Sequence, residues 1–384
     1  MIKILTVVGA RPQFIKSAAI SRAISSSFSN DIEEVIVHTG QHYDRNMSNV
    51  FFEELSIPRE NYNLEIGSSN HAHQTAQIMM ALDDVIEIEN PDALLLYGDT
   101  NSTLASCLVA IKRHLPVIHI EAGVRSFNKK FPEEVNRIIC DHTSSLLFVP
   151  SDDGISNLKK EGFIMEESNV PRDLLLNFPN TYRCGDIMYD NTLFFRDKAD
   201  EYFKKIAKEH NLPDNNFFLV TAHRPSNVDA PENFKKIISF FHYAIDNLGK
   251  KIIFPIHPRT KKVIAENKEL GELIKKKGVY CIPPVSFIEM IGLQKYSDLV
   301  ITDSGGVQKE AFFMGKPCLI MLEETPWVEL IESENAKLVG NNYDLLVEGA
   351  NFYLENKPRN FENIFGDGNS SLFICEKIIE NFKP

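Results

Sequence analysis

Three carboxylates and two histidines stand where they can do acid–base work. Asp99 follows the apolar run Ala93–Tyr97 after one glycine, Glu121 follows Val117–Ile120 directly, and Glu133 lies in Pro132-Glu133-Glu134-Val135-Asn136-Arg137. Helix capping accounts for an acid after Pro132 and can account for Asp99. It does not account for Glu121. Carboxylates gathered near one cleft form a set whose proton affinities burial and neighbours drive apart. His223 and His257 stand in Ala222-His223-Arg224-Pro225 and His257-Pro258-Arg259, each at the end of an apolar run. A satisfied structural histidine is the ordinary reading of either one. The recurrence of His with Arg at two run ends favours anion binding, with Arg259 a further candidate.

Two other segments carry anion chemistry. Gly9-Ala10-Arg11-Pro12-Gln13-Phe14-Ile15-Lys16 places a tight glycine turn, an arginine and a first-turn proline at a helix start, with Lys16 about one turn on. Arg11 and Lys16 can bind phosphate or carboxylate there, or be two solvated cations on an exposed helix. Asp303-Ser304-Gly305-Gly306 opens a helix that holds Gln308 and Glu310. Ser304, Gly305 and Gly306 offer a hydroxyl, close backbone approach and amide donors, which is a diphosphate cradle. Glu310, about a turn and a half in, can hold the two hydroxyls of a ribose.

The elements that position these residues follow from the apolar pattern. Strands are expected at Ile4–Val8, Glu34–His38, Ala93–Tyr97, Val117–Ile120 and Leu146–Val149, then at Phe217–Thr221, Ile252–Ile256, Val279–Ile282, Leu299–Thr302 and Cys318–Met321. Helical periodicity marks Pro12–Ser26, Thr100–Lys112, Lys198–His210, Glu232–Asn247, Phe287–Tyr296 and Val307–Met314. Alternating β and α segments predict an α/β protein with two doubly wound, Rossmann-like domains. The expected divisions are an N-terminal domain 1–182 with the carboxylates, a C-terminal domain 183–366 with the cradle, and a helix in 367–384 that returns to the N-terminal domain. Phe163–Arg183 shows no clear period and reads as a surface insertion. In such sheets ligands bind beyond the carboxyl ends of the strands, and paired domains bind them in the interdomain cleft.

Composition narrows the chemistry. The 384 residues include 53 acids and 41 Lys and Arg, for a formal charge of −12, so broad attraction to nucleic acid or an anionic membrane is not expected. No apolar run approaches the ~20 residues of a membrane span, and Met1–Gly9 reads as a first strand, not as a signal peptide. The six cysteines are scattered without CxxC spacing, which predicts a cytoplasmic protein with free thiols. His71-x-His73 lacks a third ligand nearby, so no metal site is expected. GxGxxG after the first strand, GxxxxGK[ST] and GxSxG are all missing. An acidic set on one domain and a phosphate-binding set on the other fit an enzyme acting on a nucleotide sugar.

As a set and in this order, Gly9–Gln13, Tyr97–Ser102, His119–Arg125, Pro132–Arg137, Thr221–Arg224 and Asp303–Glu310 resemble the bacterial non-hydrolysing UDP-N-acetylglucosamine 2-epimerases. The resemblance runs from residue 1 to about 340. It implies the GT-B arrangement of two Rossmann-like domains, a homodimer, a UDP-sugar substrate, no cofactor and no metal. It also implies interconversion of UDP-GlcNAc and UDP-ManNAc for cell-surface polysaccharide precursors, by elimination of UDP to a 2-acetamidoglucal and re-addition. By motif, Asp99, Glu121 and Glu133 match the acid/base and oxocarbenium-stabilising set. Arg11, Lys16, His223, Ser304, Gly305, Gly306 and Glu310 match the UDP-binding and leaving-group positions, and Arg137, on the same helix as Glu133, is a further candidate.

Two departures bear on the substrate. The common members have an Arg-rich segment where this chain reads Leu322-Glu323-Glu324-Thr325-Pro326-Trp327-Val328-Glu329. Arg125-Ser126-Phe127-Asn128 also differs from them. Both features look more like the branch acting on UDP-2,3-diacetamido-2,3-dideoxy-glucuronate. Allosterically regulated members carry a glutamine-rich stretch where Gln41-His42-Tyr43-Asp44-Arg45 stands here. The other readings are a hydrolysing 2-epimerase that releases ManNAc and UDP, a retaining GT-B glycosyltransferase, and a non-catalytic nucleotide-sugar binding protein.

Overall fold

In the computed structural model the apolar runs become strands of two wholly parallel sheets. The structure describes residues 1–40, 54–55, 57–67, 69–164, 170–356, 358, 361 and 363–383. The segment Gln41–Arg45 lies outside them.

The first sheet holds β1 (Ile2–Val8), β2 (Ile32–His38), β3 (Tyr62–Asn63), β4 (Ala93–Tyr97), β5 (Val117–Ile120), β6 (Leu146–Val149) and β7 (Asn180–Arg183), in the order β3-β2-β1-β4-β5-β6-β7. The second holds β8 (Phe217–Thr221), β9 (Lys251–Pro255), β10 (Val279–Ile282), β11 (Leu299–Thr302), β12 (Cys318–Ile320) and β13 (Ala336–Leu338), in the order β10-β9-β8-β11-β12-β13. Every pairing in both sheets is parallel. Each order reverses direction once, between β1 and β4 and between β8 and β11. These are the switch points at which doubly wound sheets bind ligands.

Helices cover the sheets, so central strands are buried along their whole length: every residue of β4, β5, β6, β8 and β11 is buried. In the first unit Leu5, Val37, Leu94, Leu96 and Val117 pack against Leu82, Val85 and Ile86 of the helix His71–Glu89. The core of the second unit is aromatic, with Phe218 and Phe254 against Phe234, Phe240 and Phe241 of the helix Pro231–Asp246. Local signals set the helix starts. Asn70 accepts from His73 N at 2.9 Å, and Ser286 and Glu289 form a reciprocal capping box. The first helix, Arg11–Ala23, continues as a π-helical turn, Ile24–Phe28.

The chain divides into one unit of residues 1–191 and 363–384 and another of 192–362. The divisions fall later and earlier, respectively, than the expected 182/183 and 366/367, for a visible reason. Asn191 Nδ2 donates to Ile15 O at 2.6 Å, and Asp190 accepts from the amides of Ser370 and Ser371 at 3.2 and 2.7 Å. Residues 183–191 are therefore built into the first unit. The helix Ser370–Phe382 belongs there too, with Asn381 Oδ1 accepting from Asn180 Nδ2 at 2.7 Å. The segment read as a surface insertion ends in a strand, β7, paired with β6.

Candidate active site

Beyond the C-terminal end of β1 the chain turns through Gly9 and Ala10 into the helix Arg11–Ala23. A Cβ on Gly9 would stand 2.3 Å from both Ser102 Oγ and Thr39 Oγ1, so only glycine fits. Gln13 Oε1 accepts from the Gly9 and Ala10 amides at 2.9 and 3.1 Å, and its Nε2 donates to Tyr97 O at 2.9 Å. One side chain thereby ties the first turn to the end of β4 across the switch point. Arg11, at the first helical position, is half-buried. Lys16 is buried and its Nζ donates to Glu121 Oε2.

Glu121 has a φ of +74°, a left-handed conformation that costs a non-glycine residue roughly 1–2 kcal/mol. Strain of this kind gathers where a side chain is aimed for use. Gly98, between β4 and Asp99, has a φ of +61°, and a Cβ there would lie 3.2 Å from Lys16 Nζ and 3.4 Å from Glu121 Oε2. The Lys16–Glu121 pair therefore sits against the turn that carries Asp99.

Asp99 Oδ2 accepts from Arg137 Nη1 at 2.5 Å, and Asp99 O accepts from Asn136 Nδ2 at 2.8 Å. Arg137 also donates through Nη2 and Nε to Glu134 Oε2, at 3.0 and 3.2 Å. Glu134 is buried and accepts from Ser126 N, Ser126 Oγ and Phe127 N at 2.9, 3.0 and 2.8 Å. Burial alone would raise its carboxyl above the ordinary 4.5. The Ser126 and Phe127 amides and Arg137 outweigh it and hold the group below that value. Glu133, the neighbour named from the sequence, is exposed. Glu134 is thus the acid that joins the Asp99–Arg137 chain.

A buried network lies beneath both turns. Asp141 takes His119 Nδ1 at 2.7 Å, Arg125 Nη1 at 2.7 Å and Gly123 N at 3.0 Å, while His119 Nε2 donates to Gly98 O at 2.8 Å. His119 and Asp141 are fully buried. Burial opposes the charge on Asp141, but His119, Arg125 and the Gly123 amide keep its carboxyl below the ordinary 3.8. The turns bearing Asp99 and Glu121 are fixed to each other through the His119 and Asp141 side chains.

The second unit presents a different set at its own switch point. His223, just past β8, bonds through Nδ1 to Asp303 Oδ1 at 2.9 Å. Asp303, just past β11, is fully buried and also accepts from the His223 and Arg224 amides at 2.9 and 2.8 Å and from Asn227 Nδ2 at 3.0 Å. Burial pushes its carboxyl up, yet His223, Asn227 and the Arg224 amide hold it below 3.8. An Nδ1–H donated to this carboxylate leaves His223 Nε2 for a ligand. The His257 ring lies 5.3 Å from that of His223, and its Nδ1 accepts from Arg259 N at 3.2 Å. Burial first and His223 second lower the pKa of His257. Arg259 pairs with Asp229 at 3.1 Å on the surface.

Ser304, Gly305 and Gly306 start the helix Gly305–Phe313. The Ser304 amide donates to Thr302 Oγ1 at 3.0 Å, which leaves the cradle to the amides of the first helical turn and the Ser304 hydroxyl. A Cβ on Gly305 would come no nearer than 3.7 Å to its closest neighbour, Trp327 Nε1, and one on Gly306 no nearer than 3.6 Å to Glu310 Oε1. A phosphate can therefore approach this backbone closely. Glu310 is buried, with Oε2 accepting from Gln294 Nε2 at 3.0 Å.

Sequence reasoning named the groups at the strand ends but missed those that hold them. Gln13 through Tyr97 O, and Asp141 through His119 and Gly123, act on residues far along the chain that no local spacing marks, while Glu134 acts on Ser126, Phe127 and Arg137 within eight residues. The Asp303 partnership with His223 spans 80 residues. In His71-x-His73, where no metal site is expected, His71 bonds Asn101 Oδ1 and His73 bonds Asn70 Nδ2. A separate concavity of about 730 Å³, lined in part by Asp92, Arg113 and Arg172, lies at the opposite ends of β4 and β5. Its two arginines pair with Asp83 and Asp92.

A family model described as UDP-N-acetylglucosamine 2-epimerase matches residues 26–379. The UDP-2,3-diacetamido-2,3-dideoxy-D-glucuronate 2-epimerase of Pseudomonas aeruginosa is 43% identical over 374 residues, which covers 97% of this chain and 98% of that protein. A UDP-N-acetylglucosamine 2-epimerase homolog of Methanococcus maripaludis is 41% identical, with 97% and 98% covered. The Methanocaldococcus jannaschii UDP-GlcNAc 2-epimerase, solved in complex with UDP-GlcNAc and UDP, superposes with a TM-score of 0.84 at 37% identity, over 98% of this chain and 99% of that one.

Proposed function

This chain belongs to the UDP-N-acetylglucosamine 2-epimerase family, and on that premise we propose that it is a non-hydrolysing epimerase interconverting UDP-GlcNAc and UDP-ManNAc. The observation that carries the proposal is the pair of ion-paired carboxylates around Gly98, Glu121 with Lys16 and Asp99 with Arg137. The carboxylate–imidazole pair Asp303–His223 and the glycine cradle of the second unit supply the leaving-group chemistry.

The C2 proton of the sugar is not acidic, because no carbonyl adjoins that carbon. Departure of UDP therefore leads: the C1–O bond breaks, its electron pair stays on the β-phosphate, and C1 gains oxocarbenium character. A carboxylate then takes the C2 proton, and its C–H electrons form the C1–C2 double bond of a 2-acetamidoglucal. In the return, a proton reaches the other face of C2 and a β-phosphate oxygen of UDP attacks C1. Inversion needs proton-handling groups on both faces, the work we assign to Asp99, Glu121 and Glu133. His223, Arg11, Lys16 and the cradle meet the charge that grows on the diphosphate, with His257 and Arg259 as outer candidates. Glu310 holds the ribose. The reading requires one substrate to engage groups of both units.

The 43% identity to the Pseudomonas enzyme favours a second substrate, UDP-2,3-diacetamido-2,3-dideoxy-glucuronate, for the same chemistry. Homodimer formation and a cytoplasmic setting belong to the proposal, the first from the family resemblance and the second from the scattered cysteines. Incubation with each UDP-sugar, followed by NMR of the anomeric region, is expected to show the C2 epimer still joined to UDP. Stoichiometric release of free sugar would identify a hydrolysing enzyme instead.

A further inference from the structure

Phe127 is held at a φ of +54°, in the left-handed region, and the residue is 73% exposed. A bulky aromatic residue rarely adopts this backbone. The fold alone would favour glycine or asparagine at such a position, since an exposed ring adds no core and the conformation is strained. Strain without a gain in packing points to use.

The anchor of this strained residue leads to the carboxylates. Phe127 N donates to Glu134 Oε1 at 2.8 Å, and Ser126 holds Glu134 Oε2 through both its amide and its hydroxyl. The same Oε2 receives Arg137, whose Nη1 reaches Asp99. One buried carboxylate thus fixes both the aromatic loop and the arginine that holds Asp99. The loop then turns, with Lys130 N on Asn128 Oδ1 at 3.2 Å and Phe131 N on Asn128 O at 3.1 Å. Phe131, 40% exposed, stands at the N-terminal boundary of the helix that carries Glu133. Two exposed rings flank the entry to that helix.

We propose that Phe127 is a substrate-contact residue whose ring packs on the apolar C–H face of the pyranose, with Phe131 beside it. The inference rests on the 2-epimerase reading and names the residue that covers the sugar. A flat apolar ring over the sugar keeps water from the oxocarbenium-like centre and holds the glycal until UDP re-adds. The UDP moiety makes no demand on this loop.

Phe127→Asn and Phe127→Gly test the proposal, because both residues accept the left-handed backbone and keep the fold. Steady-state kinetics on the UDP-sugar that the native enzyme turns over are expected to show kcat/KM lower by about tenfold or more, the scale of lost apolar substrate contact. The fraction of substrate escaping as glycal or free sugar should rise. UDP affinity by calorimetry should stay within about twofold of native, the uniform-binding control. The melting temperature should be unchanged or higher by ~1–4 °C, as strain is relieved. Near-native kcat/KM in both variants would overturn the proposal, as would a drop in melting temperature that accounts for the lost rate. Loss of rate together with dissociation in sedimentation would overturn it in favour of a contact with a second copy. Failure of the native enzyme to epimerise either UDP-sugar would instead strike the proposed function, before any variant is compared.

Discussion

Glu121→Gln is expected to lower turnover by roughly two to four orders of magnitude, the range for a positioned acid–base group, while UDP still binds. The substitution keeps the size of the side chain and an oxygen for Lys16 Nζ to approach, so the geometry around Gly98 is retained. What disappears is the ability to take and return a proton. Asp99→Asn is expected to fall in the same range for the same reason, since Arg137 still finds an oxygen acceptor there. Glu133→Gln belongs to the same series and tests whether an exposed carboxylate on the first turn of its helix takes part. UDP affinity measured by calorimetry separates chemistry from binding. If Glu121→Gln turns over at a near-normal rate, Glu121 is a structural acid whose task is to hold Lys16.

His223→Ala is expected to lower kcat by roughly two to three orders of magnitude, the scale of losing one preorganised donor to a developing anion. Substrate affinity should change much less, because the charge on the β-phosphate grows only as C1–O breaks. The local fold survives the change. Asp303 keeps the backbone amides at positions 223 and 224 and the Asn227 side chain, so the buried carboxylate is not abandoned. Arg11→Ala, by contrast, should weaken both affinity and turnover, as a cation that meets the diphosphate before and during cleavage. Rates at saturating substrate, set beside UDP affinity for both variants, make the distinction. Full turnover at saturation in His223→Ala, with only affinity lost, would make His223 a binding residue.

The legible part of the fold was the interior of each sheet. β4, β5, β6, β8 and β11 have the bounds expected from their apolar runs, because a central strand covered on both faces leaves a continuous signal, and β10, an edge strand, also has its expected bounds. The strands that escaped notice are β3, β7 and β13, and each lies at a sheet edge. Tyr62–Asn63 and Ala336–Leu338 are short, and Asn180–Arg183 is mostly polar, so neither length nor periodicity betrays them. The helix His71–Glu89 is not among the expected helices, although Gln74, Ile78, Leu82 and Val85 recur at helical spacing on its buried face.

The candidate site divides along the same line. Arg11, Asp99, Glu121 and His223 stand out because each closely follows a buried strand, a local fact. Lys16 stands out by its spacing from Arg11, but its ion pair with Glu121 joins residues 105 apart. Asp141 shows no local signal, since its meaning lies in what it touches: His119, Gly123 and Arg125 at the end of another strand. The choice between Glu133 and Glu134, both about one turn before Arg137 on the same helix, turns on which of them meets the Ser126 and Phe127 amides, and two adjacent glutamates leave that open until the backbone is placed.

The central claim is that C2 loses and regains a proton while UDP is detached from C1. Reaction in deuterated water tests it most directly. NMR or mass spectrometry of the UDP-sugar that the enzyme turns over is expected to show deuterium at C2 of both the epimer and the recovered substrate, since both are reached through the same glycal. Epimerised product with no solvent deuterium at C2 would contradict the elimination route and, with it, the roles given to Asp99, Glu121 and Glu133.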